Sequence, residues 1–167
     1  MMLVQPVETI SANVDSRLPA GYYFDNPLAQ RPDEIVGLLQ QVEMGWELNE
    51  QEWLSVREHI RQLGCQVLHT GVRNNRERLI GFGALVYTGT NGELGDFVVS
   101  PPDQHKGVGK AVLMEQLRQA EILGVTSLYV AIVEPTNTLV SFYIDQGFQA
   151  TQKGELVRGP SPAPLVV

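Results

Sequence analysis

The residues best suited to chemistry lie in one run, Val98-Val99-Ser100-Pro101-Pro102-Asp103-Gln104-His105-Lys106-Gly107-Val108-Gly109-Lys110. An apolar stretch stops at two prolines, passes through polar and small residues, and opens an amphipathic segment. A strand that turns into a helix this way aims unsatisfied N–H groups and the positive end of the helix dipole at one point. A phosphate or pyrophosphate can sit there. Gly107 and Gly109 leave the backbone bare for close approach, and Lys106 and Lys110 add positive charge. Two phosphate loops fail to match. A Walker loop needs glycine where Gln104 stands and Ser or Thr where Ala111 stands. A Rossmann fingerprint begun at Gly107 needs its third glycine where Val112 stands.

Further along, Tyr143 offers a phenol of pKa about 10, near enough to a thiol's ~8.5 to pass a proton to a departing thiolate. Its neighbours Phe142 and Phe148 read as core anchors, and Gly147 as a helix end. The single cysteine, Cys65, excludes an intramolecular disulfide and any multi-cysteine zinc site. It reads as a buried strand residue rather than an acyl carrier, and its solitude points to a reducing compartment, the cytosol. His59, His69 and His105 lack metal-ligand spacing, so no metal is expected.

These groups need a scaffold, and 167 residues with 43% hydrophobic and 19% charged residues suffice for one globular domain. We read a single domain over 1–167, with 1–18 a loose lead-in and 159–167 a proline-rich tail. Lys and Arg number 12 against 19 Asp and Glu, and 12 − 19 gives a net charge of −7. That balance excludes a nucleic-acid binder working by broad phosphate neutralisation. The start has no signal-peptide pattern and no apolar run approaches the ~20 residues of a membrane span.

A strand is expected at Gly21–Phe24, followed by a helix from Pro32 with Ile35, Leu38, Leu39 and Val42 on one face. Asn49 caps a second helix with Trp53, Val56 and Ile60 inward, closed by Gly64. Cys65–Val72 and Leu79–Thr88 form a hairpin across the solvated turn Arg73–Arg78. Glu93–Ser100 is a strand, Val108–Leu123 a helix, Thr126–Val133 a buried strand and Asn137–Gln146 a helix. A short hairpin then runs to Val157. The order is β-α-α-β-β-β-α-β-α-β-β, an α/β or α+β sheet domain with helices on its faces.

The pattern Gln-x-x-Gly-x-Gly after a strand and Val-x-Pro resembles the pyrophosphate motif of the GNAT superfamily of N-acetyltransferases, which bind acetyl-CoA. Asn137–Phe148 is similar to that family's penultimate helix, which ends Phe/Leu-Tyr-x-x-x-Gly-Phe. The likeness covers about Leu79–Ala150. It implies a mixed, mostly antiparallel sheet of 6–7 strands with about four flanking helices and splayed central parallel strands. It also implies acetyl transfer from acetyl-CoA to a primary amine by direct attack in a ternary complex. A non-catalytic CoA-binding or regulatory module of the same fold is the alternative.

By that resemblance, backbone groups of Val98, Val99 and Ser100 hold the pantetheine, with the Val99 amide polarising the acetyl carbonyl. The N–H groups from Gln104 through His105, Lys106, Gly107, Val108 and Gly109 to Lys110 hold the pyrophosphate. Tyr143 is then the general acid toward the CoA sulfur. Glu93 stands where one branch of the family has its base. Strand alternation places Glu93 on the face of Val99 and turns Asp96 the other way, so Glu93 is preferred, with Asp96 or a water relay as alternatives. Three departures stand out: His105 replaces a common loop glycine, Asn137 and Thr136 compete for one cofactor contact, and the final hairpin is short. A partner subunit could complete it, as in a homodimer. Met44-Gly45-Trp46-Glu47 are candidates for the acceptor wall. The acceptor is a small-molecule amine or a protein or peptide amine.

Overall fold

The computed structural model describes residues 18–42, 49–131, 137–150 and 155–158. Leu79–Thr88, apolar along nearly its whole length, forms the central strand β3, and its first eight residues are buried. Around it the chain lays down β1 (Tyr22–Phe24), α1 (Pro32–Gln40), α2 (Glu50–Gln62) and β2 (Gln66–Asn74). After β3 come β4 (Asn91–Val99), α3 (Val108–Ile122), β5 (Ser127–Ala131), α4 (Asn137–Asp145), β6 (Gln149–Ala150) and β7 (Glu155–Arg158). Seven strands make one sheet in the order β1-β2-β3-β4-β5-β7-β6. Among the described residues β4 and β5 are the parallel pair, and every other neighbour is antiparallel.

The helices divide between the two faces. Ile35, Val36 and Leu38 of α1 and Trp53 of α2 pack on Phe82, Ala84 and Val98. Leu113, Met114 and Leu117 of α3 join Tyr143 of α4 and Phe148 over Leu85, Leu94 and Leu128 on the other face. Burying side chains of this size contributes about 1.5–3 kcal/mol each. Local signals set the helix ends: the Asn49 side chain accepts from the Glu52 N–H at 2.9 Å. No described helix is long and apolar enough to cross a membrane.

Three sequence expectations need correction. On α2 the inward position belongs to Arg57, which is buried, while Val56 is 48% exposed. Arg57 has partners inside, described below, that the apolar pattern does not register. Arg73 is not part of a solvated turn. The strand β2 runs on to Asn74, and buried Arg73 bonds Asp25 (2.7 Å) and both oxygens of Glu34 (2.7 and 3.0 Å). These bonds hold the Glu34 carboxyl below its ordinary pKa. Glu93 and Val99 do not share a face, because β4 bulges between them. The lead-in 1–17, the Met44–Glu47 corner, Thr136 and the tail lie outside the described residues.

Candidate active site

The site begins where two strands part. Asn91, Gly92 and Glu93 of β4 pair with Ser127, Leu128 and Tyr129 of β5, and pairing stops there although β4 continues to Val99. Past Tyr129, β5 keeps its other neighbour, with Val130 opposite Leu156 of β7. Among the described residues, Leu94–Val99 therefore borders a fork with β3 on one side and no paired strand on the other.

The β4 bulge decides what faces that fork. Gly95 lies opposite Ala84 and Val98 opposite Phe82, so Asp96 and Phe97 together stand against Gly83. Asp96 takes up the extra residue at φ 51°. Backbone groups along a strand point alternately to its two neighbours. Before the bulge, the Thr90 carbonyl accepts from Ser127 at 3.1 Å, so even-numbered residues turn to β5. After it, the Ser100 N–H donates to the Ile80 carbonyl at 2.7 Å, so even-numbered residues turn to β3. The extra residue exchanges the two sets and leaves the Val99 N–H and C=O on the side that β5 has vacated. Val98 and Ser100, expected to help hold a pantetheine, are turned to β3 instead.

Side chains obey the same shift. Directly opposite residues of an antiparallel pair project from one face. Glu93 pairs with Val86, which packs on Ile60 and Cys65, so Glu93 is on the α2 face. Asp96 is on that face too, with its Oδ2 2.5 Å from Arg57 Nη2. Phe97 and Val99 point the opposite way, toward α3: a Cβ on Gly109 would lie 3.4 Å from the Phe97 ring and 3.5 Å from Val99 Cγ2.

Beyond Val99 the chain makes a single 3₁₀ turn, Pro101–Asp103, and enters α3 through Gly107 at φ 90°. His105 also has a positive φ, 61°, which explains why glycine is common at this place. Gly107 caps α3 without any side-chain bond. The Gln104 N–H, expected to face the phosphates, donates instead to the Pro101 carbonyl at 3.3 Å, and Gln104 Nε2 donates to the Val99 carbonyl at 3.0 Å. Among the described residues nothing accepts from the N–H groups of His105, Lys106, Gly107, Val108, Gly109 or Lys110. Left-handed backbone at His105 and Gly107, leading into the right-handed helix, is a geometry that can turn N–H groups toward an anion. The side chains of Lys106 and Lys110 are exposed beside it.

Tyr143 flanks the fork on the α3 face. It is 2% exposed, with ring centroids of Phe97, Phe142 and Phe148 at 6.2, 5.3 and 5.4 Å. Burial pushes its phenol up to about 12, above the value near 10 expected from sequence. Cys65 is buried before β2 and packs on Ile60 and Val86, away from Tyr143. Asn137 begins α4.

Two features escaped sequence reasoning. Tyr22, on β1, donates its hydroxyl to Asp103 Oδ1 at 2.6 Å, and Ser100 Oγ donates to Asp103 Oδ2 at 2.8 Å. Asp103 thereby ties the loop before α3 to the sheet edge, with Lys106 Nζ 3.5 Å from the same Tyr22 oxygen. The Asp103 bond is the main cause of a raised Tyr22 pKa. The other feature is the Arg57–Asp96 pair. Neither had a local signal, since the partners lie 81 and 39 residues apart.

A family model described as "Acetyltransferase (GNAT) family" matches residues 32–148. Solved structures of similar fold include the ribosomal-protein-S18-alanine N-acetyltransferase from Escherichia coli. It is 16% identical with TM-score 0.68, covering 87% of this chain and 98% of that one. A GNAT-family acetyltransferase from Staphylococcus aureus Mu50 gives 15% identity and TM-score 0.69, over 83% of this chain and 98% of that one. The PaiA N-acetyltransferase from Thermoplasma acidophilum, in complex with coenzyme A, gives 18% and 0.58, over 81% and 96%. At such identities the likeness is one of fold. No curated protein sequence matches the chain.

Proposed function

The chain belongs to the GNAT acetyltransferase family, and we propose that it transfers the acetyl group of acetyl-CoA to a primary amine by direct attack in a ternary complex. The observation that carries this reading is the fork, with the Val99 N–H turned into it and a row of unsatisfied N–H groups at its α3 end. Those N–H groups fit a pyrophosphate, and the coenzyme A complex of a similar fold supports that assignment. Bound there, acetyl-CoA supplies a thioester carbonyl open to attack and a thiolate leaving group.

The residues then divide the work. The N–H groups from His105 to Lys110 hold the diphosphate, aided by the charges of Lys106 and Lys110. The Val99 N–H donates to the carbonyl oxygen as negative charge grows on it. Tyr143 faces the α3 side of the fork and donates a hydrogen bond, and finally a proton, to the sulfur. Glu93 faces the α2 side and receives the amine's proton. Asp96 is held by Arg57 on the same face. Acid and base thus lie on opposite faces of β4, one on the leaving-group side and one on the acceptor side. The acceptor is a small-molecule amine or a protein amine. The alanine of ribosomal protein S18, named for one similar fold, is an example of the second class.

A thermal-shift series with acetyl-CoA, CoA and ATP, followed by thiol release across a panel of primary amines, tests the reading. Stabilisation by both CoA forms but not ATP, with amine-dependent thiol release, is expected. Stabilisation without release on any amine would favour a CoA-binding module, and stabilisation by ATP alone would contradict both.

A further inference from the structure

The orientation of Val99 depends on the β4 bulge, and that bulge is strained. Asp96 holds a side chain at φ 51°, a left-handed region that glycine takes freely and aspartate only occasionally, so its surroundings must favour it. The restraint comes from α2. Arg57 Nη2 lies 2.5 Å from Asp96 Oδ2, and the arginine side chain is 8% exposed. Its guanidinium sits over the Trp53 ring, 4.5 Å from the centroid. Trp53 meets His69 at 5.6 Å, and His69 packs edge-on against Phe82 at 4.9 Å. Phe82 is the residue of β3 opposite Val98, at the far end of the bulge.

Arg57 is thus fixed by an aromatic stack before it reaches Asp96, and it occupies an inner position of α2 that helical periodicity assigns to an apolar side chain. A buried arginine there is unfavourable unless it is paired. The pair it makes falls on the one residue of β4 whose backbone needs restraint.

We propose that Arg57 is a positioning residue: through Asp96 it holds the β4 bulge in its left-handed turn and so keeps the Val99 N–H aimed into the fork. The inference rests on the acetyl-transfer reading, and adds to it a residue on α2 that acts through another side chain and the backbone. Without the clamp the bulge can migrate or flatten, and a one-residue shift returns the Val99 N–H to β3.

The test compares R57M, R57K, D96G and the double variant R57M/D96G with the full-length wild type. The readouts are kcat, acetyl-CoA Kd, melting temperature and the Val99 amide resonance on addition of acetyl-CoA. R57M should lower kcat about ten- to a hundredfold, the usual cost of misplacing a group by about 1 Å, while Kd is retained through the phosphate loop. R57K should recover part of the loss. R57M/D96G should recover most of it, because glycine takes the left-handed turn unaided and no unpaired, partly buried carboxylate remains. The Val99 resonance should shift in the wild type and the double variant but not in R57M.

A folded R57M with wild-type kcat and a wild-type Val99 shift would overturn the proposal. So would a double variant no better than R57M, or a D96G that loses all turnover, as a base at Asp96 requires. A wild type inactive on every amine, yet showing this pattern of Val99 shifts, would defeat acetyl transfer and leave the clamp standing.

Discussion

Tyr143 is held among aromatic rings at 2% exposure, and burial pushes its pKa up to about 12. A phenol so placed keeps its proton throughout the working pH range and releases it only against charge that builds on its partner. The Tyr143→Phe variant should lose about a hundredfold in kcat, the low end of what general acid–base catalysis contributes, with acetyl-CoA affinity unchanged. Full turnover would remove the tyrosine from the mechanism. The same shift has a stability consequence. The folded state binds this proton more tightly than the unfolded state, so the contribution is complete below pH ~10 and is lost as pH rises through about 12. Melting temperatures of the wild type should therefore fall over that interval more steeply than those of Tyr143→Phe, and parallel curves would contradict the burial argument. Glu93, the proposed base, lies on the other face of β4. Glu93→Gln should slow transfer chiefly at low pH, where the amine arrives protonated, and leave the rate at high pH nearly intact. An unchanged pH–rate profile would take Glu93 out of the reaction.

The loop before α3, proposed to hold the diphosphate, is an element tied to another element. Tyr22 on β1 and Ser100 at the end of β4 both donate to Asp103, in the middle of the loop. Tyr22→Phe leaves one carboxylate oxygen without its donor close to the diphosphate. KM for acetyl-CoA should rise about tenfold, the equivalent of one charge-assisted hydrogen bond, while kcat stays near the wild-type value. A fall in kcat alone would refute this assignment. Arg73 joins β2 to Asp25, in the segment before α1, and to Glu34 of α1, with side chains 10%, 11% and 21% exposed. Arg73→Met abandons two partly buried carboxylates and should lower the unfolding free energy by about 3 kcal/mol. A urea midpoint within error of wild type would show the network to be dispensable.

These elements also mark how far sequence could be read. Leu79–Thr88 and the start of α3 at Val108 were legible because apolar periodicity and a glycine turn leave local signatures. The loop N–H groups were legible for the same reason, since a bare helix start follows from Gly107. The Asp96 bulge was not, because one extra residue changes no composition while it reverses every facing downstream. That is why Glu93 was placed on the wrong side relative to Val99. Val56 was expected inward where Arg57 lies, and Arg73 was read as part of a solvated turn, because charged residues count as solvated until a distant partner is known.

Over the whole molecule, two half-structures meet at one opening. The antiparallel half, β1 to β4 with α1 and α2, carries Glu93 and the Arg57–Asp96 clamp. The second half, from α3 onward, carries the diphosphate loop and Tyr143. Against a net charge of −7, the loop before α3 presents Lys106 and Lys110 beside unsatisfied N–H groups, and on the proposed reading it attracts the anionic end of the cofactor. On the proposed reading no side chain needs to carry the acetyl group between the halves, since amine and thioester meet at the fork. Acetyl-CoA labelled in its acetyl carbon tests that claim most directly, by incubation with the protein and the primary amine that gives fastest thiol release. The account predicts label in the amide product, one free CoA thiol per acetylated amine, and none on the protein, Cys65 included. Label retained covalently by the protein as an intermediate, or thiol release without an acetylated amine, would contradict it.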